Sequence, residues 1–353
     1  MNKLCSKLDQ LYKNVDGIYY DTSSQEGYWS NLSRKEQAVL FSHLRSATTR
    51  DTVQKLFPNL ENIIFDSMRS VGLRLLDIKK SDVGADYGCM WGNLLIYCAK
   101  NCKAILGIDQ TRDSLEFVKY RLKEENIDNC YLLNANLRNN LHLEGTFDFS
   151  IVNGVLEWIP VENEVELNKF LKREKFRVTK PSYDPMLLQF EFLERVCRGL
   201  RPRGRLYLAI ENRYDYQHFL WKKDVHVGLF YTAFLPRKIA NIISSIWYGR
   251  PYVNYIYSRR ELERLIKRAG FEAVETYAVF PDYRFPQKIL PFRKKMQENY
   301  EPVYRTRKTR NVVKKAFRKM RRNLDWLVYK RLRLFELAPS FIVVAKKGQV
   351  RDA

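Results

Sequence analysis

The chain has 353 residues, 45% of them apolar and 14% aromatic, too apolar to stay disordered and long enough for one elaborated α/β domain or for two domains. Charges recur every few residues at the N-terminus, and eighteen apolar residues never run together. We therefore expect no secretory signal and no spanning helix, and a cytoplasmic protein. Lys and Arg outnumber Asp and Glu by 62 to 40, a net +22 that favours phosphate-bearing partners such as nucleic acid or anionic lipid. Six cysteines without a Cys-x-x-Cys pair, beside only four histidines, read as reduced thiols, and no metal is expected.

Residues 1–80 read as a helical extension, with Ser33 capping a helix over 34–46 and a second apolar stripe over 59–78. An aromatic, turn-rich piece over 17–29 has the character of a lid. From Ser81 short strands alternate with helices: strands over 82–86, 104–109, 130–134, 147–153 and 205–211 predict a doubly wound parallel sheet. In such sheets the ligand lies beyond the carboxyl ends of the strands. A polar insertion over 161–184 precedes a helix over 185–200, and a second insertion spans 212–257. Ser258 then caps a helix that stops at Gly270, followed by a strand over 271–280. Residues 284–338 form a basic helical insertion before the last strand, 340–345. Between Arg284 and Arg333 stand 18 basic residues and three acidic ones, so most of the net charge lies there. The core domain thus runs 81–283, with residues 339–353 closing it.

Four strand ends carry the chemistry. Val83-Gly84-Ala85-Asp86-Tyr87-Gly88-Cys89-Met90-Trp91-Gly92 ends a strand, turns and enters a helix, which brings backbone close to a ligand. The spacing D-x-G-x-x-x-G is not the G-x-G-x-x-G of a dehydrogenase, and Asp86 suits a cationic ligand better than a pyrophosphate. Asp109, with Gln110 after it, ends the next strand, where a carboxylate can accept ribose hydroxyls. Asn134-Ala135-Asn136-Leu137 offers an amide to an adenine edge, and Asn153 begins the turn leading to Glu157.

Together these motifs resemble class I S-adenosylmethionine-dependent methyltransferases, over about Ser81 to Glu211 with the final strands added. The resemblance implies a Rossmann-like seven-stranded sheet, parallel apart from a last antiparallel strand, and S-adenosylmethionine as cofactor. It places Asp86, Gly88 and Gly92 on the methionine part, Asp109 and Gln110 on the ribose, Ala135, Asn136 and Leu137 by the adenine, and Asn153 toward the reacting methyl. Met90 stands where the family's middle glycine lies, and Arg203 replaces a glycine in the turn before the fifth strand. Ile210-Glu211-Asn212-Arg213, Asp224 to Phe230 and Phe234-Leu235-Pro236-Arg237 resemble a bacterial and archaeal subgroup associated with glycosyltransferases and surface-glycan assembly.

For a hydroxyl acceptor the protein must position the oxygen and take its proton. His226 is the first candidate base, with Asp224 its partner two residues away; equally, the pair could fix the loop that carries it. Glu157 and Glu211 are further candidates. In 236–248, Ile239, Ile242, Ile243, Ile246 and Trp247 share one face, read either as a core-facing stripe or as an interfacial helix. Val313, Phe317, Met320, Leu324, Leu327 and Val328 repeat the pattern in the basic insertion. The expected activity is O-methylation of a surface glycan or lipid-linked saccharide, with the protein peripheral to the inner face of the cell membrane through 236–248 and 284–333. The competing readings are an RNA methyltransferase clamping its substrate with the basic insertion, and a degenerate fold acting as a scaffold, which Met90 and Arg203 would explain.

Overall fold

A ten-stranded sheet organises the protein in a computed structural model that describes residues 3–22, 29–161, 165–166, 183–249, 251–292, 301 and 312–348. Its strands are β1 (Lys13–Val15), β2 (Ile18–Tyr20), β4 (Val83–Tyr87), β5 (Ala104–Asp109), β6 (Cys130–Asn134), β7 (Phe147–Asn153), β9 (Leu200–Glu211), β10 (Phe271–Phe280), β11 (Lys288–Pro291) and β12 (Ser340–Lys347). β3 (Trp29–Ser30) and β8 (Val165–Glu166) pair separately. The order across the sheet is β1-β2-β6-β5-β4-β7-β9-β12-β10-β11. Every residue of β4 and β5 is buried, as strands covered on both faces require, and apart from Asp86 and Asp109 towards their carboxyl ends they read as short apolar runs. Each large apolar side chain fully buried there contributes roughly 1.5–3 kcal/mol.

The expected seven strands are the middle of this sheet; three more extend its edges. The β1–β2 hairpin joins one edge, with β2 parallel to β6, although residues 1–80 were expected to be helical. At the other edge β11 folds back on β10. β12 runs antiparallel to both β9 and β10, so β1, β11 and β12 oppose the rest.

Helices Asn93–Ala99, Arg112–Glu124, Pro185–Gly199 and Arg259–Arg268 accompany the sheet. Ser33 and Ser258 each close a capping box, with Glu36 and Glu261. The stripe over 59–78 does not make one helix. It breaks at Asp66, whose side chain caps the Met68 N–H, while Asn93 and Arg121 bind the Ile64 carbonyl in place of helical donors. The helix Arg237–Tyr248 turns Ala240 and Ser244 inward and leaves Ile239, Ile242, Ile246 and Trp247 exposed, so its stripe is not core-facing. In Val312–Asp325, Val313, Phe317 and Met320 are exposed; the helix passes into a wider turn, Trp326–Arg331, where Val328 is buried. The insertion over 161–184, the lid over 17–29 and the basic insertion lie in part outside the described residues. Among the described residues no helix is long and apolar enough to cross a membrane.

Candidate functional site

The sheet order reverses between β4 and β7, and a cavity of about 520 Å³ opens at the carboxyl ends of β4, β5, β7 and β9. Of the residues expected on a cofactor, Asp86, Gly88, Asp109, Gln110, Asn136, Leu137 and Asn153 line it. Gly92 and Ala135 do not. Gly92 caps the helix Asn93–Ala99 with its Cα against Val118, and Ala135 is buried in the core with its N–H bonded to the Asp109 carbonyl.

The glycine loop is tied to the second strand. Gly88 and Cys89 donate their N–H groups to the Ile108 carbonyl, at 2.8 and 3.1 Å. Gly88 has φ +75, and a Cβ there would come 2.5 Å from Val155 Cγ2, so only glycine fits. Met90, where a glycine was expected, takes the left-handed conformation itself, at φ 47. Its side chain packs on the cluster of Leu32, Leu40, Trp91 and Phe117 while it also borders the cavity. Arg203 likewise adopts φ 62. Both substitutions therefore preserve the turn at a cost of roughly 1–2 kcal/mol each.

Asp109 accepts the Met90 N–H through Oδ2 and the Thr111 N–H through Oδ1, each at 2.8 Å. Burial raises its pKa to about 6 against those bonds. Asp86 is raised to about 7, by burial first and then by the Asp109 charge, with Arg69 opposing. This end thus concentrates buried negative charge for which a cation is the natural partner. Arg69 also lines the cavity, and its Nε has no hydrogen-bond partner among the described residues. Asn153 Oδ1 is buried and has no partner among the described residues.

The three candidate catalytic residues come together at the other end. His226 Nδ1 lies 3.0 Å from Asp224 Oδ1, which also accepts the His226 N–H at 2.8 Å. The Tyr252 hydroxyl donates to Asp224 Oδ2 at 2.8 Å. Burial pushes the Asp224 carboxyl up, but the His226 bond outweighs it and holds it at about 2. Nε2 of His226 faces Glu157 Oε1 and Glu211 Oε2, each at 3.7 Å. Burial alone would lower the imidazole; Asp224, Glu157 and Glu211 together raise it to about 10. Glu157 is raised by burial, with the Glu211 charge adding to it. Asp224 therefore both fixes the loop and orients the imidazole, joining two roles that the spacing alone left as alternatives.

Arg69, Tyr283 and Arg284 also line the cavity and were not expected there. Tyr283 and Arg284 follow the carboxyl end of β10, so the strand-end rule could have found them. Arg69 sits in the 3-10 helix Ser67–Leu76, where the apolar stripe marks its neighbours and not the arginine.

Residues 85–182 match the family model described as a methyltransferase domain. Over 68 residues the chain is 34% identical to a Methanocaldococcus jannaschii protein named "Probable cobalt-precorrin-6B C(15)-methyltransferase (decarboxylating)", covering 19% of this chain and 37% of that one. A Methanococcus vannielii protein of the same name is 24% identical over 131 residues, 32% of this chain and 73% of that one. The chain thus spans little more than a third of the first relative's length and about three quarters of the second's. A Haemonchus contortus phosphoethanolamine N-methyltransferase 2 solved with S-adenosyl-L-methionine has a TM-score of 0.43 at 12% identity, covering 86% of this chain and 61% of that one. Residues 85–182 thus resemble a methyltransferase domain.

Proposed function

We propose that the whole chain is an S-adenosylmethionine-dependent O-methyltransferase acting on a hydroxyl of a surface glycan or lipid-linked saccharide at an anionic membrane. The observation that carries this reading is one cavity with a buried acidic nucleoside-type end and, opposite it, a cluster of groups able to hold a proton. Asp86 would face the cationic methionine end, Arg69 its carboxylate, Asp109 the ribose and Asn136 the adenine. When bound, the cofactor supplies a methyl on a sulfonium: as the acceptor oxygen bonds to that carbon, the carbon–sulfur bond breaks and its electrons stay on sulfur. Glu157, made more basic by burial, receives the hydroxyl proton, and His226, anchored by Asp224, holds Glu157 and Glu211 in place.

The membrane part rests on exposed apolar side chains beside basic ones. Ile246 and Trp247 are 76% and 66% exposed, and Val313 is 77% exposed on a helix carrying Lys315, Arg318, Lys319 and Arg322. The loop containing Asp224 and His226 adds two more exposed aromatic side chains, Phe230 and Tyr231. Transfer of labelled methyl from the cofactor to a lipid-linked saccharide fraction tests the proposal. Label released as methyl iodide by hydriodic acid marks an ether and supports it. Label retained on carbon, the chemistry in the relatives' name, or recovered in RNA would overturn it.

A further inference from the structure

The acceptor end of the cavity is incomplete as a hydrogen-bonded cluster. Glu157 is 1% exposed, and neither of its carboxylate oxygens has a hydrogen-bond partner among the described residues; Glu211 is 3% exposed, and its Oε2 has none. Unpartnered buried carboxylate oxygens are costly, so such a pair calls for something between them. Nε2 of His226 aims into the same space, 3.7 Å from each, beyond hydrogen-bond reach. All three ligand atoms lie within 4.8 Å of one another.

We infer that Glu157, Glu211 and His226 Nε2 bind one divalent cation of the first transition row, although the sequence alone suggested no metal. Two ligand atoms about 2.1 Å from one ion stand roughly 3.0–3.5 Å apart at octahedral or tetrahedral angles, so the two 3.7 Å gaps from Nε2 need close by only a few tenths of an ångström. The surrounding groups are those a metal site requires. Asp224 accepts from Nδ1, which keeps that nitrogen protonated, so that the proton Nε2 carries in the ion-free protein is the one displaced when the ion takes its place between the carboxylates, and Asp224 is itself held by Tyr252. The Asn254 amide pins the Glu157 carbonyl at 3.0 Å. Arg284 stands 3.8 Å from Glu211 Oε1, offsetting part of the charge from behind and leaving Oε2 to the ion. One imidazole with two carboxylates suits Mn²⁺, Fe²⁺ or Zn²⁺. The cavity leaves the remaining coordination positions open, so the ion would lower the pKa of an acceptor hydroxyl while the other oxygen of Glu157 takes the proton. This role rests on the proposed methyl transfer; the binding of the ion does not.

Metal-stripped full-length protein titrated with Mn²⁺, followed by loss of the free-ion paramagnetic resonance signal, should bind one ion per chain. The bound ion should show nitrogen modulation in a pulsed measurement, the mark of His226. Glu157→Gln with Glu211→Gln should weaken binding at least ~100-fold while Glu272→Gln leaves it unchanged. No binding, binding that survives the double substitution, or a bound ion without nitrogen coupling overturns the inference. The nitrogen signature is read on the unmodified protein, so a variant that fails to fold does not decide the matter. Cofactor titration in the presence of chelator separates the two readings: cofactor binding by a protein that takes up no Mn²⁺ in the first titration sinks the inference and leaves the methyltransferase proposal standing.

Discussion

Replacing Asp109 by Asn is expected to separate the stability of the cofactor loop from its affinity. In the native protein both carboxylate oxygens accept backbone N–H groups, from Met90 and Thr111. An amide keeps one acceptor and turns an NH₂ toward the other donor, leaving a buried N–H unsatisfied at a cost of roughly 1–3 kcal/mol. Against this, holding Asp109 ionised at a pKa raised from 3.8 to about 6 costs roughly 3 kcal/mol, which a neutral amide escapes. The two effects nearly cancel, so the melting temperature of the cofactor-free protein at pH 8 should move by only a few degrees. Cofactor binding has no such compensation. It loses an ionic acceptor for the ribose hydroxyls and the anchor of the Met90 turn, worth roughly 1.5–3 kcal/mol, or about 10- to 100-fold in Kd. Isothermal titration and thermal melting of the same preparation measure both. An unchanged Kd with a folded variant would show that Asp109 does not serve the cofactor.

Asp86 and Asp109 titrate near 7 and 6 in the free protein, so affinity for a cationic cofactor should fall as the pH drops from 8 to 5.5, with protons released on binding. Titrations in buffers of different ionisation enthalpy check this. Because both folded pKa values lie above the unfolded ones, their contribution to cofactor-free stability is present below about pH 4 and lost as the pH rises through about 7; melting curves compared with the Asp86→Asn protein read the difference. Gly88→Ala should destabilise by roughly 2–4 kcal/mol in urea unfolding, and adding Val155→Ala should recover the clash but not the φ +75 penalty. Ile242→Glu with Ile246→Glu should change stability by less than about 0.5 kcal/mol yet abolish co-sedimentation with phosphatidylglycerol vesicles.

The central sheet was legible because its strands obey one rule each. β5, β6, β7 and β10 fall on their expected bounds, the first three as short, largely apolar runs and β10 as a strand set off by Gly270 before it and Pro281 after it. The edges were not. Lys13–Val15 and Lys288–Pro291 are half-exposed strands of three and four residues whose pairing partner alone makes them strands. The run over 59–78, read as one helix, is helical in two pieces, Glu61–Phe65 and the tighter 3-10 helix Ser67–Leu76, and the break between them, where Asn93 and Arg121 take the Ile64 carbonyl, leaves no mark in the apolar spacing. In the site, motif residues at strand ends were readable, and so was the Asp224–His226 pair, two residues apart. The meeting of His226 with Glu157 and Glu211 joins positions far apart in sequence through sheet order. No local pattern encodes it. The outward stripe of Arg237–Tyr248 could not be told from a core-facing one, because periodicity records that a face is apolar and not what covers it.

The loop that carries Asp224 and His226 is bolted to the basic insertion. Asn212 donates to the Glu336 and Ala338 carbonyls, both at 2.8 Å, Tyr216 to Asp325 at 2.5 Å, and Trp221 meets Phe317 edge-on at 5.1 Å. The insertion is thus a lever arm as well as a charged surface. A load applied to the helix Val312–Asp325 passes through two short links, at Asp325 and Phe317, to the segment that leads to the imidazole. Whatever that helix grips would be sensed at the reacting groups as a change in stiffness, and excising it would unfasten the acceptor end while leaving the nucleoside end, built on other strands, intact.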